Sequence, residues 1–351
     1  MSKRVTIYDI ATELQVSTAT VNRALTGKGR VSEETRQRVF DAAKRMGFKP
    51  NTLARTLSRR PLRMAVVAFT SFPEFHNMIL LGARESQQEL VDYNVNVDYF
   101  HYDKGASNTP AGLQFLEETL ERVAREGYDG LLVCARQAEG FRKLKEKNIS
   151  VATVVNDIDR CYRRFCIHYN GRTAGKMAAE LLWWMGHRDR PVAIATGQVG
   201  ESGIHMEILE GFREQTKRMP LEVACVYRHY DDMDAAYEET KKLLKRMPRL
   251  GGIYVDSFNS LGVIRAVEEA GLSGQICLVT SDIYQRLGEY ISQGAVSASI
   301  FQNQYEQGRR GLSMLYRAIA DGVKVKEEVL LPPQIILQSN LPLFQSGARL
   351  E

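Results

Sequence analysis

From Leu62 onward the chain alternates two kinds of apolar pattern, and that alternation restricts its fold more than any other feature. Nine short runs have the length and composition of strands: "RMAVVAF", "VNVDYFHY", "GLLVCA", "SVATVV", "PVAIATG", "EVACVY", "GGIYVDS", "ICLVTSD" and "VSASIFQ". Most are apolar at successive positions, as a strand must be when both of its faces are buried. Between most of them lie segments with apolar residues at helical spacing, such as "TAGKMAAELLWWMG" and "SLGVIRAVEEAG". Strand–helix alternation builds parallel sheets, because each helix returns the chain across the sheet face. Nine or ten strands over about 290 residues are too many for one ordinary open sheet, so two doubly wound parallel sheets in an α/β body are expected. A cleft between two such lobes, at the carboxyl ends of their strands, is the expected ligand site.

Charge divides the chain at a different place. The 351 residues carry a net charge of +5. Residues 1–60 hold 13 Lys and Arg against 5 Asp and Glu, a net of +8, so the remainder holds 34 against 37, a net of −3. The basic excess belongs to the first sixty residues, where a polyanion is the natural partner. The first residues, "MSKRVTIYDIA", contain no apolar signal segment, and no run approaches the roughly 18–20 apolar residues of a membrane span. Cys134, Cys161, Cys166, Cys225 and Cys277 are scattered and unpaired in spacing, which points to free thiols in a reducing cytoplasm.

Residues 1–47 show helical spacing only. Thr6 and Asp9 have the T-x-x-D form of a helix start, followed by Ile7, Ile10, Ala11 and Leu14 on one face. Ser17 is a strong N-cap for the next segment, which ends at the "GKG" of 27–29. Ser32, Glu33 and Glu34 open a third helix whose Val39, Ala42, Ala43 and Met46 face inward, with Gly47 as its stop. Ile10, Leu14, Val21, Leu25, Val39 and Met46 suffice for a miniature core. Thr18 and Ala19 then project from the first turn of the middle helix, as helix–turn–helix proteins present such a turn to the major groove. Thr and Ala can touch thymine methyl groups, while Asn22 and Arg23 can donate to bases or phosphates.

Residues 48–61, "FKPNTLARTLSRRP", form a basic link in which Asn51–Ser58 could make about two helical turns, too few to stand alone in water. Leu53 and Leu57 lie four apart among Arg55, Arg59 and Arg60, an arrangement suited to wedging base steps open from the minor groove. No nucleophile, phosphate-loop or zinc-protease motif occurs, and the six histidines lack metal-ligand spacing. No enzyme activity, cofactor or metal is therefore expected. Trp183 and Trp184 are expected to pack against a sheet, and Met177, Met185 and Met206 to fill a core.

The stretch "VTIYDIATELQVSTATVNRALTGKGRVSEETRQRVFDAAKRMGFKPNTLARTLS" closely resembles the lac repressor (LacI/GalR) family of bacterial transcription regulators. The resemblance continues more loosely through "NGRTAGKMAAELLWWMGHR", "LEGFREQ", "GVIRAVEEAG" and "YEQGRRGLSML" to about residue 344, leaving 345–351 as a loose tail. It implies a helix–turn–helix domain over 1–47, a hinge over 48–61 and a periplasmic-binding-protein-like effector and dimerisation body over 62–344. It implies phosphate or positioning contacts from Thr6, Tyr8, Ser17, Thr20, Arg23, Arg30, Ser32, Thr35 and Asn51, and base readout from Thr18, Ala19 and Asn22. Leu57 becomes the minor-groove wedge, with Ala54 beside it. The partners implied are a pseudo-palindromic double-stranded operator, a second copy of the chain and a small-molecule effector.

For the effector the resemblance points to Phe72, Phe75, His76, Asn156 or Asp157, Asp256, Asp282 and Gln302, each placed after a strand, with His205 beside them. Carboxylates and amides flanked by aromatic rings suit a polyhydroxylated ligand. Many relatives carry an Arg about five residues before the "GF" that enters the second lobe; here that position is Met206. An anionic effector loses its grip there, and a neutral sugar or cyclitol is favoured. The competing reading is a solute-binding or enzymatic α/β protein whose basic head is incidental.

Overall fold

The computed structural model describes residues 5–26, 29–48, 60–69, 72–102, 109–135, 137–197 and 203–345. Asn51, Ala54 and Leu57 of the hinge lie outside the described residues. The chain forms two compact units, a head that ends at Arg60 and a body that begins at Pro61.

The head holds α1 (Ile7–Leu14), α2 (Thr18–Thr26) and α3 (Glu33–Arg45). Ile10, Ala11, Val21, Ala24, Val39, Ala42 and Ala43 are buried together, with Leu14, Leu25 and Met46 packed at their edge. Four alanines occupy the contact because helices this short must approach closely to exclude water. Gly47 follows α3 at φ 67°, the left-handed conformation that stops a helix. The Arg45–Glu13 ion pair ties α3 to α1.

The body opens with β1 (Leu62–Ala68), α4 (Pro73–Glu89), β2 (Val95–His101), α5 (Pro110–Arg125), β3 (Gly130–Cys134), α6 (Gly140–Glu146), β4 (Ser150–Val154) and β5 (Phe165–Tyr169). It continues with α7 (Gly171–Met185), β6 (Val192–Thr196), α8 (Gly203–Thr216), β7 (Val223–Arg228), α9 (Met233–Arg246), β8 (Gly252–Val255) and α10 (Leu261–Glu269). It ends with β9 (Cys277–Ser281), α11 (Gln285–Ser292), β10 (Ala298–Phe301), α12 (Gln304–Ala320), β11 (Glu328–Leu331), β12 (Gln334–Ile336) and α13 (Leu341–Gln345). The strands form two six-stranded sheets, β11-β5-β4-β3-β1-β2 in the first lobe and β12-β10-β9-β8-β6-β7 in the second. Every described pairing is parallel except β10 with β12.

The chain passes between the lobes three times: after Tyr169, after Phe301 and after Leu331. Each lobe rests on a helix pair that approaches through glycine. A Cβ on Gly308 of α12 would stand 2.1 Å from the Ile79 carbonyl oxygen of α4, and one on Gly175 of α7 would stand 1.9 Å from that of Ile208 in α8. Helix α12 thus follows a strand of the second lobe yet packs in the first. Gln307 marks that crossing: its Oε1 accepts the Val155 amide of the first lobe at 3.0 Å, and its Nε2 donates to the Gln302 carbonyl at 2.9 Å.

The tryptophan expectation needs correction. Trp184 is 66% exposed, and the Arg188 guanidinium stacks over both Trp183 and Trp184 at 5.0 and 4.7 Å. The pair lies in the last turn of α7. Met185 and Met206 are likewise exposed rather than core-filling.

Candidate DNA interface and effector cleft

Three of the head's expected DNA-contacting side chains, Thr6, Ser17 and Ser32, first serve as caps, and Thr20 and Thr35 are held by them. Thr6 Oγ1 accepts the Asp9 amide while Asp9 accepts the Thr6 amide, a complete capping box. Ser17 Oγ accepts the Thr20 amide at 3.1 Å and shares a 2.8 Å hydroxyl contact with Thr20. Ser32 Oγ accepts the Thr35 amide at 3.2 Å and donates to Thr35 Oγ1 at 2.8 Å. Capping places these hydroxyls at helix N-termini, where the remaining amide donors and the helix dipole favour phosphate oxygens.

On α2 the apolar side is Val21 and Ala24, both buried. Ala19, Asn22 and Arg23 are exposed on the opposite side, with Thr18 and Thr20 half-buried between. The Arg23 methylenes lie against Gly29, which holds φ 98°; a Cβ there would stand 3.3 Å from Arg23 Cδ. Tyr8, 68% exposed, and Arg30 lie on the head's surface.

In the body, most of the expected effector residues fall into three groups. The first is aromatic and joins the lobes. Phe72 at the start of α4 lies 5.2 Å from the ring of Phe258, which follows β8 in the second lobe, and Phe75 meets that ring edge-on at 5.5 Å. Tyr284 covers its other side at 4.7 Å, held by a 2.7 Å hydrogen bond between its hydroxyl and Ser260. His76 is buried beside His101 at the end of β2, ring centroids 5.8 Å apart.

The second group sits beyond β6 and β8. Asp256 is wholly buried; its Oδ2 accepts from Thr196 Oγ1 at 2.6 Å, and its Oδ1 accepts the Gly197 amide at 3.1 Å and faces His205 Nδ1 at 3.0 Å. Burial opposes a charge on His205, but the Asp256 carboxylate outweighs it with help from Asp231, and the imidazole is pushed up to about 9. His205 is thus the cationic partner of Asp256 at neutral pH.

The third group sits beyond β9 and β10. Gln302 Nε2 donates to Asp282 Oδ2 at 2.8 Å, and the Gln302 amide reaches Oδ1 at 3.3 Å. Burial pushes the Asp282 carboxyl up to about 7 against those hydrogen bonds. Asp282 adopts φ 67°, a left-handed conformation that turns its side chain back across the strand end.

Of Asn156 and Asp157, the structure commits the second to its own lobe. Asp157 Oδ1 accepts from Arg163 Nε at 2.7 Å and from the Ile158 amide at 2.9 Å, and the Arg163 side chain is fully buried. Asn156 follows the left-handed Val155 and is half-buried. Met206, 38% exposed, contributes no charge beside His205.

Sequence reasoning missed several neighbours. His229, fully buried after β7, pairs through Nε2 with Ser257 Oγ at 3.4 Å. Burial holds its imidazole below the usual range despite Asp231 and Asp256. Asp231 follows it on the same turn, with Oδ1 close over Gly197. Phe258, Tyr284 and Gln304 complete the list. The signal that selected Asp256 and Asp282, a polar residue just past a strand, also applies to His229 and Asp231.

Residues 6–51 match the lacI family of bacterial regulatory proteins, and residues 82–323 match the periplasmic binding protein domain. Among curated relatives, the transcriptional repressor PurR of Histophilus somni is 24% identical over 96% of this chain and 98% of its own length. The ribose operon repressor of Haemophilus influenzae is 23% identical over 96% and 98%. Catabolite control protein A of Priestia megaterium is 25% identical over 77% and 79%. Among solved structures, a glucose-galactose binding protein from Geobacillus stearothermophilus superposes with a TM-score of 0.71 at 20% identity, covering 81% of this chain and all of the other. A solute-binding protein from Actinobacillus succinogenes with bound D-allose gives 0.69 at 17%, covering 80% and 99%.

The body is therefore a periplasmic-binding-protein domain carrying a helix–turn–helix head. The chain belongs to the lacI family of bacterial regulatory proteins.

Proposed function

We propose that the chain is a cytoplasmic transcriptional repressor that binds a pseudo-palindromic operator as a homodimer and releases or grips it according to a small polyhydroxylated effector, a sugar or cyclitol, held between its lobes. It carries out no catalysis in this reading. What supports the reading most is the union in one chain of a capped recognition helix with exposed Ala19, Asn22 and Arg23 and a two-lobed body whose strand ends gather buried carboxylates and carboxamides and a cluster of packed aromatic rings. Carboxylates and carboxamides hold hydroxyl groups, and rings pack on the C–H face of a sugar. A two-lobed body can pass ligand binding to a distant head only if closure changes the spacing of the paired heads.

The repressor relatives and the sugar-bound structures favour the same assignment over a solute-binding protein or enzyme with an incidental basic head. The test is a gel-shift titration on the DNA upstream of the chain's own operon, comparing wild type with Asn22→Ala. Loss of at least about tenfold in affinity at the specific site, with unchanged binding to random duplex, is the expected result. Equal weakening on both duplexes would remove Asn22 from base readout.

A further inference from the structure

Among the described residues, the second-lobe end of the cleft gathers two carboxylates and two imidazoles, and one buried carboxylate oxygen finds no hydrogen-bond partner. His205 and Asp256 form one closed pair, 3.0 Å apart. His229 and Asp231 form a second acid–imidazole group on the turn after β7, and Asp231 and Asp256 both act on the His229 ring. That turn is rigid: Tyr230 and Asp231 both take left-handed φ angles of 52° and 56°, and Asn259 Nδ2 fastens the Asp231 carbonyl at 2.9 Å.

Two atoms of this second group are buried without a hydrogen-bond partner, His229 Nδ1 and Asp231 Oδ1. His229 itself is 0% exposed, so its idle nitrogen is shut off from water and carries the penalty of an unmade hydrogen bond. Two further idle atoms belong to the Asp282 group: Gln302 Oε1 and Gln304 Oε1. Three of the four can only accept, and the imidazole nitrogen accepts when Nε2–H donates to Ser257 Oγ. The occupant must therefore supply donors.

Hydroxyl groups alone meet that demand at the two carboxamides. They do not meet it at Asp231, where a buried oxygen of a carboxylate lies beside a second carboxylate and a histidine already spent on it. The charges acting on His205 and His229 are those of Asp231, Asp256 and each other, and the groups acting on Asp282 are the amides of Gln302 and Gln304. One positive charge on the ligand closes the account of the His205–Asp256–Asp231 set.

We propose that the effector is an aminated sugar or cyclitol, whose primary ammonium group is received by Asp231 Oδ1 and His229 Nδ1 while its hydroxyls face Gln302 and Gln304. The inference rests on the cleft being the effector site, and it goes further by naming the functional group that the site selects. A charge-assisted N–H···O bond is about twice as strong as its neutral counterpart, so the amine should dominate selectivity among otherwise matched polyols.

The experiment is calorimetric titration of the full chain with matched compounds: D-glucose, D-glucosamine, N-acetyl-D-glucosamine and D-glucose 6-phosphate, then scyllo-inositol and its monoamine. Wild type is expected to bind the amine at least about tenfold tighter than the parent polyol within a pair, and to lose that gain on N-acetylation. Asp231→Asn, which keeps shape and removes charge, is expected to abolish the amine preference, read as the ratio of amine to parent-polyol affinity within the variant so that any loss common to both cancels. Its ligand-free melting midpoint reports whether it folds, and His229→Gln gives a second variant with the same expected loss of preference. Parent polyols binding as tightly as the amines would overturn the ammonium assignment and leave the polyol reading standing. Binding confined to the phosphate would overturn the assignment too. Failure of every compound to bind would overturn both.

Discussion

Asp282 and His205 are both raised, one by burial and the other by an ion pair that outweighs burial, so both lose stability as pH rises, in different windows. The Asp282 carboxyl is pushed up to about 7, so the folded chain holds a proton there that the unfolded chain has released. Stability from this group is full below the ordinary carboxylate range and declines as pH rises from about 4 to about 7. Asp282→Asn is therefore expected to flatten the fall in melting temperature between pH 5 and pH 7; a slope unchanged from wild type would contradict the assignment. His205 is raised to about 9, so its contribution is full below its ordinary range near 6.5 and disappears as pH climbs through about 9. Arg163 belongs to the first lobe, where its fully buried guanidinium holds Asp157 and, at 2.7 Å, the Glu327 carbonyl. Arg163→Ala strands Asp157 and the β11 entry, with an expected loss of roughly 2 kcal/mol by urea denaturation, discounted because solvent still reaches the carboxylate. The choice between Asn156 and Asp157 was not legible in the sequence, since it turned on Arg163, six residues away and folded back underneath.

Helices and strands differed in how openly the sequence announced them. Nine strands were visible as apolar runs, but β5, β11 and β12 were not. β5 reads "FCIHY" with Arg163 and Arg164 before it, and its cysteine drew attention as a thiol rather than as a strand residue. β11 and β12 are edge strands of four and three residues, one of them antiparallel, with too little periodicity to register. The caps were legible because Thr6, Ser17 and Ser32 act within four residues of themselves. Ser17→Ala is expected to cost the head about 1 kcal/mol and to weaken specific DNA binding, because α2 loses its first turn before it loses its core. Thermal melts with operator titrations test this; a weakened head that binds DNA normally would separate the cap from recognition. The glycine contacts between helices were invisible from spacing alone. Gly308→Val would drive a side chain into the Ile79 carbonyl of α4 and is expected to lower stability by about 1–3 kcal/mol, measured by denaturant melts.

The architecture of head and two-lobed body followed from features that do not depend on fine packing: charge asymmetry, helix spacing in the first 47 residues and strand–helix alternation beyond. What remained hidden was the chemistry of the cleft, because it is assembled from strand ends far apart in sequence. Asp231 and Asp256 meet across 25 positions, and Phe72 meets Phe258 across 186. The three passages between the lobes join them covalently, with Gln307 spanning one passage by hydrogen bonds to both sides. Removing that strap by Gln307→Ala is expected to alter ligand affinity and the ligand's effect on DNA together, while leaving DNA affinity of the free protein near that of wild type.

The central claim is that one chain reads duplex DNA with its head and sets that reading with a ligand in its body. Fluorescence anisotropy on the native upstream duplex, with excess random competitor and with D-glucosamine or scyllo-inositol present or absent, tests both halves together. The account predicts a preference of at least about 10³-fold for the native duplex, an affinity that falls steeply between low and moderate salt, and a shift of about fivefold or more when a bound polyol or its amine is added. Equal binding to both duplexes, insensitive to salt and to every compound that the body binds, would contradict it.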